Sequence, residues 1–506
     1  MQAMLPQKLD DAVCYEMLRA RDARFDGRFF VGVSSTRIYC RPVCSARTPR
    51  RENCSFFGTA AAAEHRGYRP CLRCRPELAP GYASLDASAG LVQAAASMIE
   101  EGALDHADVA SLAARIGVSD RHLRRLFEVH FGVSPNEYAR TQRLLLAKRL
   151  LTDTRLPVTD VALASGFASV RRFNDCFARS YRMSPTALRR EREAGGPGEG
   201  AAAAAGAESV LAFRLAFRPP YDWDSMTAFL AARTIDGVES VEALARGHRR
   251  VYRRVVRARG GRLGWIEVAG PGRARDAGVL TVRIDPALVG VIPSVLGGVR
   301  RAFDLSCRPD EVAQALGDLA RARPGLRLPG TFDGYELAVR AVLGQQITVK
   351  AARTLAARFV GAFGAAAASP WPTLSHAFPS AAQIAGQDPA AIASLGIVGQ
   401  RARTIVALAQ AFADGALDCA PGVDPLAFVE RLQQVPGVGP WTAQYVAMRV
   451  LGWPDAFPAA DVGLMRALGV DTARRAEAAA ERWRPWRSYA VIHLWMGLAE
   501  PGEKPQ

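Results

Sequence analysis

The chain has 506 residues, and its 65 Lys and Arg side chains outnumber its 49 Asp and Glu side chains, for a formal net charge of +16. Hydrophobic residues make up 49% and charged residues 23% of the sequence, which excludes a largely disordered or fibrous chain. The length predicts about three to five domains. The basic balance indicates a polyanionic partner, with nucleic acid the leading candidate.

Membrane-spanning and secretory signals are missing from the sequence. No run of about 18 apolar residues occurs, so no transmembrane helix is expected. The first residues, MQAMLPQKLDD, lack the apolar core of a signal peptide. Nine cysteines are too few for a disulfide scaffold in a chain of this length. These features predict a cytoplasmic protein with no membrane partner.

Four cysteines form two close pairs, Cys40-x-x-x-Cys44 and Cys71-x-x-Cys74, separated by 26 residues. Zinc takes four ligands at the corners of a tetrahedron, and a short spacer lets one turn deliver two of them. The pattern therefore predicts one four-cysteine Zn²⁺ site, surrounded by several arginines that include Arg47. The other cysteines are predicted to be core thiols: Cys14, Cys54, Cys176, Cys307 and Cys419.

Two segments, 108–135 and 158–185, repeat one plan of a short apolar helix, a turn glycine, a serine and a second helix. The turn glycines are Gly117 and Gly166. The serines that follow, Ser119 and Ser169, are typical caps of the second helix. This plan predicts two helix-turn-helix units joined by a long helix, with a plain helical bundle as the alternative. The basic residues of the second helices are Arg121, Arg124, Arg125, Arg171, Arg172 and Arg179.

The C-terminal part contains a glycine-rich turn and, further along the chain, the candidate carboxylate Asp461. In VPGVGPWTA, Gly437 and Gly439 leave backbone N–H groups uncovered, so the turn is predicted to bind a DNA phosphate. Asp461 follows Trp441 by 20 residues. Residues 211–300 mix strand-like alternation with helical stretches, and 310–500 are predicted to be almost entirely helical. A low-complexity segment, 194–209, cannot bury a core and is predicted to be a flexible linker.

The segments RIYCRPVCSAR, RRENCSFF and GYRPCLRCRPE resemble the zinc domain of Ada DNA-repair and response proteins. The resemblance implies that Cys40 accepts a methyl group from a methylated DNA phosphate and that Cys44, Cys71 and Cys74 remain ligands. A purely structural zinc site is the alternative. Residues from about 90 to 190 resemble the DNA-binding module of AraC-type regulators, which implies promoter DNA and RNA polymerase as partners and transcription activation as the role.

The C-terminal part, about 211–500, resembles AlkA-type 3-methyladenine glycosylases in RPPYDWDSMTAFLAAR, ARPGLRLPG, AVLGQQITV and RWRPWRSYAVIHLW. The resemblance implies that Asp461 is the catalytic carboxylate and that Trp441, Tyr445 and Trp495 line the pocket for an alkylated base. Positively charged bases such as 3-methyladenine and 7-methylguanine would be attracted to these rings.

The resemblance also assigns roles in DNA contact. Gln345 and Gln346 would contact DNA, and Gln346 stands where some relatives carry an apolar wedge. Bifunctional relatives carry a lysine where this chain has Trp441, so a monofunctional glycosylase without lyase activity is expected. The resemblance further implies that a monovalent cation binds at the hairpin, to the backbone carbonyl groups of Gln433, Val435 and Val438.

The sequence thus predicts a multidomain α+β protein. The expected parts are a small zinc α/β domain (1–80), an all-α AraC-type double helix-turn-helix (86–192), the linker (194–209), a mixed α/β subdomain (210–305) and an all-α helix-hairpin-helix glycosylase domain (306–500). The expected function is alkylation repair and response on double-stranded DNA. No Pro-Cys-His-Arg motif occurs, so O6-methylguanine repair is not expected. The alternatives are a glycosylase with a purely regulatory N-terminal half and a regulator that recognises lesions without catalysis.

Overall fold

The computed structural model describes residues 10–81, 90–105, 107–194, 210–243, 250–272 and 278–498. The chain divides into two compact units, Met1–Arg218 with Gly272–Gly297 and Pro219–Pro271 with Gly298–Gln506. Both units contain helices and strands, which confirms the predicted multidomain α+β fold. From residue 195 onward the predicted linker lies outside the described residues. Among the described helices, none has the length and apolar character needed to cross a membrane.

The N-terminal part of the first unit is built on a four-stranded sheet of strand order β3-β1-β2-β4. Its elements are α1 (Asp11–Ala20), β1 (Phe30–Val33), β2 (Ile38–Cys40), β3 (Cys54–Phe57), α2 (Ala60–His65) and β4 (Arg69–Pro70). β1 is antiparallel to β2 and β3, whereas β4 is parallel to β2 and pairs Pro70 with Tyr39. Because Cys40 and Cys71 directly follow these partners, the sheet brings the two cysteine pairs to one edge.

Seven α-helices lie within the described residues between 90 and 194. They are α3 (Gly90–Glu100), α4 (Val109–Ile116), α5 (Asp120–Phe131), α6 (Pro135–Asp153), α7 (Val158–Ala164), α8 (Val170–Tyr181) and α9 (Pro185–Ala194). Leu123 and Phe127 of α5 are fully buried in a core shared with α3, α4 and α6. α6 is the predicted long connecting helix, and it begins with a capping box of Ser134 and Glu137.

Strands and helices mix between residues 211 and 302, as the alternating pattern predicts. The elements are β5 (Leu211–Ala216), α10 (Trp223–Ala231), β6 (Glu239–Ala243), β7 (Arg250–Arg257), β8 (Leu263–Ala269), β9 (Val279–Ile284) and α11 (Ile292–Ala302). In the first unit β5 pairs antiparallel with β9. In the second unit β7 pairs antiparallel with both β6 and β8.

The rest of the second unit is helical except for two strands of two residues each. Its elements are α12 (Pro309–Leu316), α13 (Asp318–Arg321), α14 (Gly334–Leu343), α15 (Val349–Phe363), β10 (Ala365–Ala366), β11 (His376–Ala377), α16 (Ala381–Ile384), α17 (Pro389–Ala393), α18 (Gly399–Ala413), α19 (Pro425–Gln433), α20 (Pro440–Val450), α21 (Val462–Ala467), α22 (Ala473–Ala480) and α23 (Arg487–Leu498). Buried side chains of α14, α18 and α20, including Val339, Leu408 and Val446, form one core. This core fixes the turn between α19 and α20 and the start of α20.

Candidate functional site

The four predicted zinc ligands lie together in the first unit. The sulfur atoms of Cys40, Cys44, Cys71 and Cys74 all lie within 4.8 Å of one another. Sulfur atoms bound to one zinc ion at about 2.3 Å are roughly 4 Å apart, so this donor set fits a single tetrahedral ion. Cys40, Cys44 and Cys71 are buried, and Cys74 is partly exposed. The residues present can therefore hold one Zn²⁺ through four sulfurs.

Backbone N–H groups reach three of the four sulfurs, and that of Ala46 donates to Cys44 Sγ. The N–H of Arg41 donates to Cys74 Sγ at 3.3 Å, and that of Cys74 donates to Cys71 Sγ at 3.5 Å. The Arg41 guanidinium is buried and pairs with Asp26, so it supports the loop and does not face solvent. Arg47, Arg50 and Arg73 are exposed. Of the arginines near the cysteines, these three are accessible to a phosphate.

The cysteine cluster is tied to α6 by buried ion pairs that the sequence pattern does not reveal. Lys148 Nζ donates to the Cys71 carbonyl at 3.3 Å and to Glu77 Oε2 at 2.6 Å. Arg75 pairs with Glu77 and with Asp153 at the end of α6. The loop that carries Cys71 and Cys74 is therefore anchored directly on the helix that connects the two helix-turn-helix units.

A partly buried carboxylate makes a second contact between the sheet and α6. Tyr39 donates to Glu64 Oε1 at 3.1 Å, and Thr141 of α6 donates to Glu64 Oε2 at 2.9 Å. Burial raises the pKa of Glu64 to about 7, although the two hydroxyl donors act in the opposite direction. Glu64 is 25 residues from Tyr39 and 77 from Thr141 along the chain, so sequence spacing gives no signal for this contact.

The helix-turn-helix geometry matches the predicted plan. Gly117 and Gly166 both have φ of 80°, the left-handed conformation expected of the turn. Ser119 caps α5 through the His122 N–H, and Ser169 caps α8 through the Arg172 N–H. The predicted contact residues Arg121, Arg125, Arg171 and Arg172 are exposed, and Arg124 is partly exposed and paired with Asp120. Both second helices thus present guanidinium groups to solvent.

In the second unit, a cavity of about 440 Å³ collects the residues predicted for base excision. Asp461, Trp441, Tyr445 and Trp495 all line it. A volume of this size accommodates a purine. Neither Gln345 nor Gln346 lines the cavity, although Gly344, which precedes them, does.

Asp461 is held at the wall of this cavity by three hydrogen-bond donors. It is the N-cap of α21, and its Oδ1 accepts from the Leu464 N–H at 2.8 Å. The indole N–H of Trp495 donates to Oδ1 at 3.0 Å, and that of Trp441 donates to Oδ2 at 2.9 Å. The side chain thus serves both as a helix cap and as a fixed carboxylate. Two of the predicted pocket aromatics position it through their N–H groups, a role that the sequence pattern did not suggest.

The three aromatic residues form a wall of the cavity. Trp441 and Tyr445 stack with ring centroids 5.3 Å apart and an interplanar angle of 6°. A base between two rings would separate them by about 7 Å, twice the contact distance of carbon atoms. Tyr445 and Trp495 are tilted by 52° at 6.1 Å. A flipped base can therefore stack on an outer face of this wall, and it cannot enter between Trp441 and Tyr445.

Arginines that no sequence motif indicated also line the cavity. They are Arg233, Arg254, Arg340, Arg353 and Arg449. Arg449 donates to the Tyr445 hydroxyl at 2.8 Å. Burial acts to raise the pKa of this phenol, but the charges of Arg449 and two neighbouring arginines outweigh it and lower the pKa. The FLAAR and YVAMR segments that carry Arg233 and Arg449 were available signals, but nothing in their spacing indicated a common cavity.

The predicted phosphate-binding turn lies between α19 and α20. Gly437 has a φ of 89°, and a Cβ added there would lie 2.1 Å from Thr404 Oγ1. Thr404 of α18 donates to the Pro436 carbonyl at 2.9 Å. Gly439 is the N-cap of α20, and no side chain caps this helix. The first N–H groups of α20 are therefore accessible to an anion.

Gln345 connects this turn to the segment between α14 and α15. Its Nε2 donates to the Gly437 carbonyl and to Thr442 Oγ1, each at 3.1 Å. Gln346 is exposed and has a φ of 57°, so it projects from the tip of the segment. Of the three predicted cation-binding carbonyls, that of Val435 accepts from the Val438 N–H at 3.1 Å.

Comparison with known families matches four successive parts of the chain. The matches are to the metal binding domain of Ada (13–77), a helix-turn-helix domain (112–191), the AlkA N-terminal domain (212–333) and the HhH-GPD superfamily of base excision DNA repair proteins (339–487). They fall in the order that the motifs predicted.

Curated relatives resemble the whole chain or one part of it. The chain is 38% identical over 291 residues to DNA-3-methyladenine glycosylase 2 of Escherichia coli, covering 56% of this chain and 96% of that protein. It is 33% identical over 160 residues to the bifunctional transcriptional activator/DNA repair enzyme Ada of Escherichia coli, covering 31% of this chain and 43% of that protein. Over 499 residues and 96% of both chains it is 41% identical to a protein of Mycobacterium tuberculosis described as a probable bifunctional transcriptional activator/DNA repair enzyme AlkA. This protein therefore belongs to the family of bifunctional AlkA-type proteins that join an Ada-type metal-binding domain and a helix-turn-helix domain to a DNA glycosylase.

Proposed function

We propose that this protein excises alkylated purines of the 3-methyladenine and 7-methylguanine type from double-stranded DNA, accepts methyl groups from DNA methyl phosphotriesters on Cys40, and activates transcription. The observation that carries the first activity is the carboxylate of Asp461, fixed at the wall of a purine-sized cavity by two indole N–H groups.

The contacts of Asp461 suggest how it acts. When the bond between C1′ and the base nitrogen breaks, the electron pair stays with the base and positive charge develops on the sugar. A carboxylate beside C1′ stabilises that charge. Oδ1 already accepts two hydrogen bonds, whereas Oδ2 accepts one, from Trp441. Oδ2 therefore retains an acceptor site with which to orient the water that attacks C1′.

The surroundings support hydrolysis without a covalent intermediate. Trp441 stands directly after the turn, where a lysine would be needed to form a Schiff base with the sugar. The accessible N–H groups at the start of α20 supply a phosphate contact close to the cavity that Trp441 lines. A flipped nucleotide held by its phosphate at this turn would place its base at the aromatic wall.

Substitution of Asp461 tests the excision activity. Asp461→Asn keeps a side chain that caps α21 but removes the charge, so release of 3-methyladenine from methylated duplex DNA should fall at least about 100-fold. Binding to the same DNA should persist. Asp471→Asn, an exposed carboxylate paired with Arg475 in the same unit, is the matched control and should release bases at the wild-type rate. Undiminished release by Asp461→Asn would refute the assignment.

The contacts of the cysteine cluster favour Cys40 as the methyl acceptor. Backbone N–H groups that donate to a sulfur withdraw electron density from it, and such donors reach Cys74, Cys71 and Cys44. In the described part of the chain no backbone N–H donates to Cys40, so its sulfur retains more nucleophilic character. In the transfer, the S–CH₃ bond forms as the CH₃–O bond breaks, and the electron pair stays on the phosphate oxygen. Bound zinc would keep the four thiols deprotonated at neutral pH.

One-step transfer to the protein separates this proposal from a purely regulatory N-terminal half. Labelled methyl groups from DNA methyl phosphotriesters should appear on the wild-type protein and not on Cys40→Ala. Cys54→Ala, which alters a buried thiol outside the cluster, should accept label normally. Label on Cys40→Ala would show that another residue accepts the methyl group, whereas no label on the wild type would favour the regulatory alternative, in which zinc is structural.

The remaining assignments complete the proposal. The exposed arginines of α5 and α8 would contact promoter DNA, and an activator bound there would recruit RNA polymerase in the cytoplasm. Gln346 would fill the space left by a flipped base. Carbonyls of Gln433, Val435 and Val438 would bind a monovalent cation next to the phosphate. The proposed domains are residues 1–80, 86–192, 210–305 and 306–500.

A further inference from the structure

The cavity of the second unit carries more positive charge than a site for cationic bases requires. Five arginines line it, against the two carboxylates Glu239 and Asp461. Arg254 and Arg340 are paired with the buried carboxylates Glu336 and Glu239. A cationic base is attracted by aromatic faces but repelled by guanidinium groups without a carboxylate partner.

Two of the cavity arginines are held by neutral groups only. Arg233 donates to the Phe229 carbonyl at 3.1 Å. Arg449 donates to carbonyl groups of Pro329 and Gly330 and to the Tyr445 hydroxyl. Within the described residues, neither forms an ion pair with a carboxylate. Their charge therefore acts on whatever the cavity binds, and it favours electron-rich atoms.

The Tyr445 hydroxyl has a proton without an acceptor. A guanidinium can only donate, so in its contact with Arg449 the phenol oxygen is the acceptor. No acceptor for the phenol proton is found among the described residues. Tyr445 lines the cavity, and its ring is fixed by stacking on Trp441. A hydroxyl that already accepts from a cation is a stronger donor than an isolated one.

We propose that the Tyr445 hydroxyl, oriented by Arg449 with Arg233 nearby, donates a hydrogen bond to an acceptor atom of the flipped purine and thereby assists release of neutral bases. This rests on the proposed excision function. A cationic base leaves as a neutral molecule and needs little help. A neutral base leaves as an anion, because the electron pair of the broken bond to C1′ stays on it. The donated hydrogen bond stabilises that anion, the proton stays on the Tyr445 oxygen, and solvent protonates the released base.

Single-turnover release of two bases from otherwise identical duplexes tests this role. One duplex carries cationic 7-methylguanine and the other carries neutral hypoxanthine. Tyr445→Phe keeps the ring and removes the donor, so the hypoxanthine rate should fall about 10- to 100-fold more than the 7-methylguanine rate. Tyr335→Phe, which removes a buried hydroxyl outside the cavity, is the matched control and should leave both rates unchanged.

The outcomes separate this proposal from the excision function itself. Equal falls for both bases would show that Tyr445 acts through stacking or stability and would overturn the proposal, as would no fall for either base. Release of 7-methylguanine but not hypoxanthine by the wild type would also overturn it while leaving the excision function intact. Release of neither base by the wild type would refute the excision function. Retained 7-methylguanine release by Tyr445→Phe would in itself show that the variant folds.

Discussion

The hydrogen bonds that two indole N–H groups donate to Asp461 lead to a quantitative prediction for the rate of base release. Trp495→Phe keeps an aromatic ring in the cavity wall but removes the donor to Oδ1, and Trp441→Phe does the same at Oδ2. A hydrogen bond to a charged group contributes about 1.5–3 kcal/mol. Because about 1.4 kcal/mol corresponds to a factor of ten in rate, each variant should release bases about 10- to 150-fold more slowly than the wild type.

The rate of release under single-turnover conditions, with enzyme in excess over a duplex containing one 7-methylguanine, is the appropriate assay. Affinity for the same duplex should change little, because the lost contact orients the carboxylate and not the DNA. Trp483→Phe, at a buried tryptophan outside the cavity, provides the control. Release within threefold of the wild type by both cavity variants would refute the claim that the indoles position Asp461. A loss confined to binding would assign them to the base instead.

Three further predictions concern stability, DNA binding and metal. Burial raises the pKa of Glu64 from 4.5 to about 7. Between these two pH values the folded chain keeps a proton on Glu64 that the unfolded chain has lost. The free energy of unfolding should therefore fall as the pH rises across that interval. Glu64→Gln should remove this slope and raise the free energy of unfolding of the first unit at pH 8 by up to about 3 kcal/mol, measured by denaturant titration at pH 5 and pH 8. Gly437 has a φ of 89°, and a Cβ added there would meet Thr404, so Gly437→Ala should lower the melting temperature and weaken DNA binding. A Cβ added at Gly439 meets nothing within 4 Å, so Gly439→Ala should weaken DNA binding without changing the melting temperature. Chelation of zinc should abolish methyl transfer and destabilise the first unit while leaving the rate of base release unchanged.

Each of these has a distinct contradicting result. An unfolding free energy that does not depend on Glu64 between pH 5 and pH 8 would show that this carboxyl is not strained by burial. Wild-type DNA affinity of Gly439→Ala would place the phosphate elsewhere. Loss of base release on chelation would mean that the two activities depend on each other.

Local signals in the sequence predicted the parts of this molecule that depend on nearby residues. The cysteine spacing identified a set of four sulfurs that lie together. Turn glycines marked the turn of each helix-turn-helix unit, and the predicted serines, Ser119 and Ser169, cap the second helices. Asp461 was assigned through the resemblance to AlkA-type glycosylases, and in the structure its side chain lines the cavity.

These local sequence signals could not predict contacts between segments that are far apart in the chain. The carboxylate of Glu64 joins residues 25 and 77 positions away, and burial, not sequence pattern, sets its pKa. The aromatic residues were predicted to line a pocket for a base, but the direction of their N–H groups depends on rotamers that only packing determines. The five arginines of the cavity lie on or next to five different helices and strands, so the periodicity of any one element could not predict that they meet.

One measurement tests the central claim most directly. Duplex DNA methylated with a labelled reagent is incubated with the full-length protein, and label is counted separately in released bases and on the protein. The account predicts label in both fractions for the wild type, only on the protein for Asp461→Asn, and only in released bases for Cys40→Ala. Released bases from Asp461→Asn, or label on the Cys40→Ala protein, would contradict it.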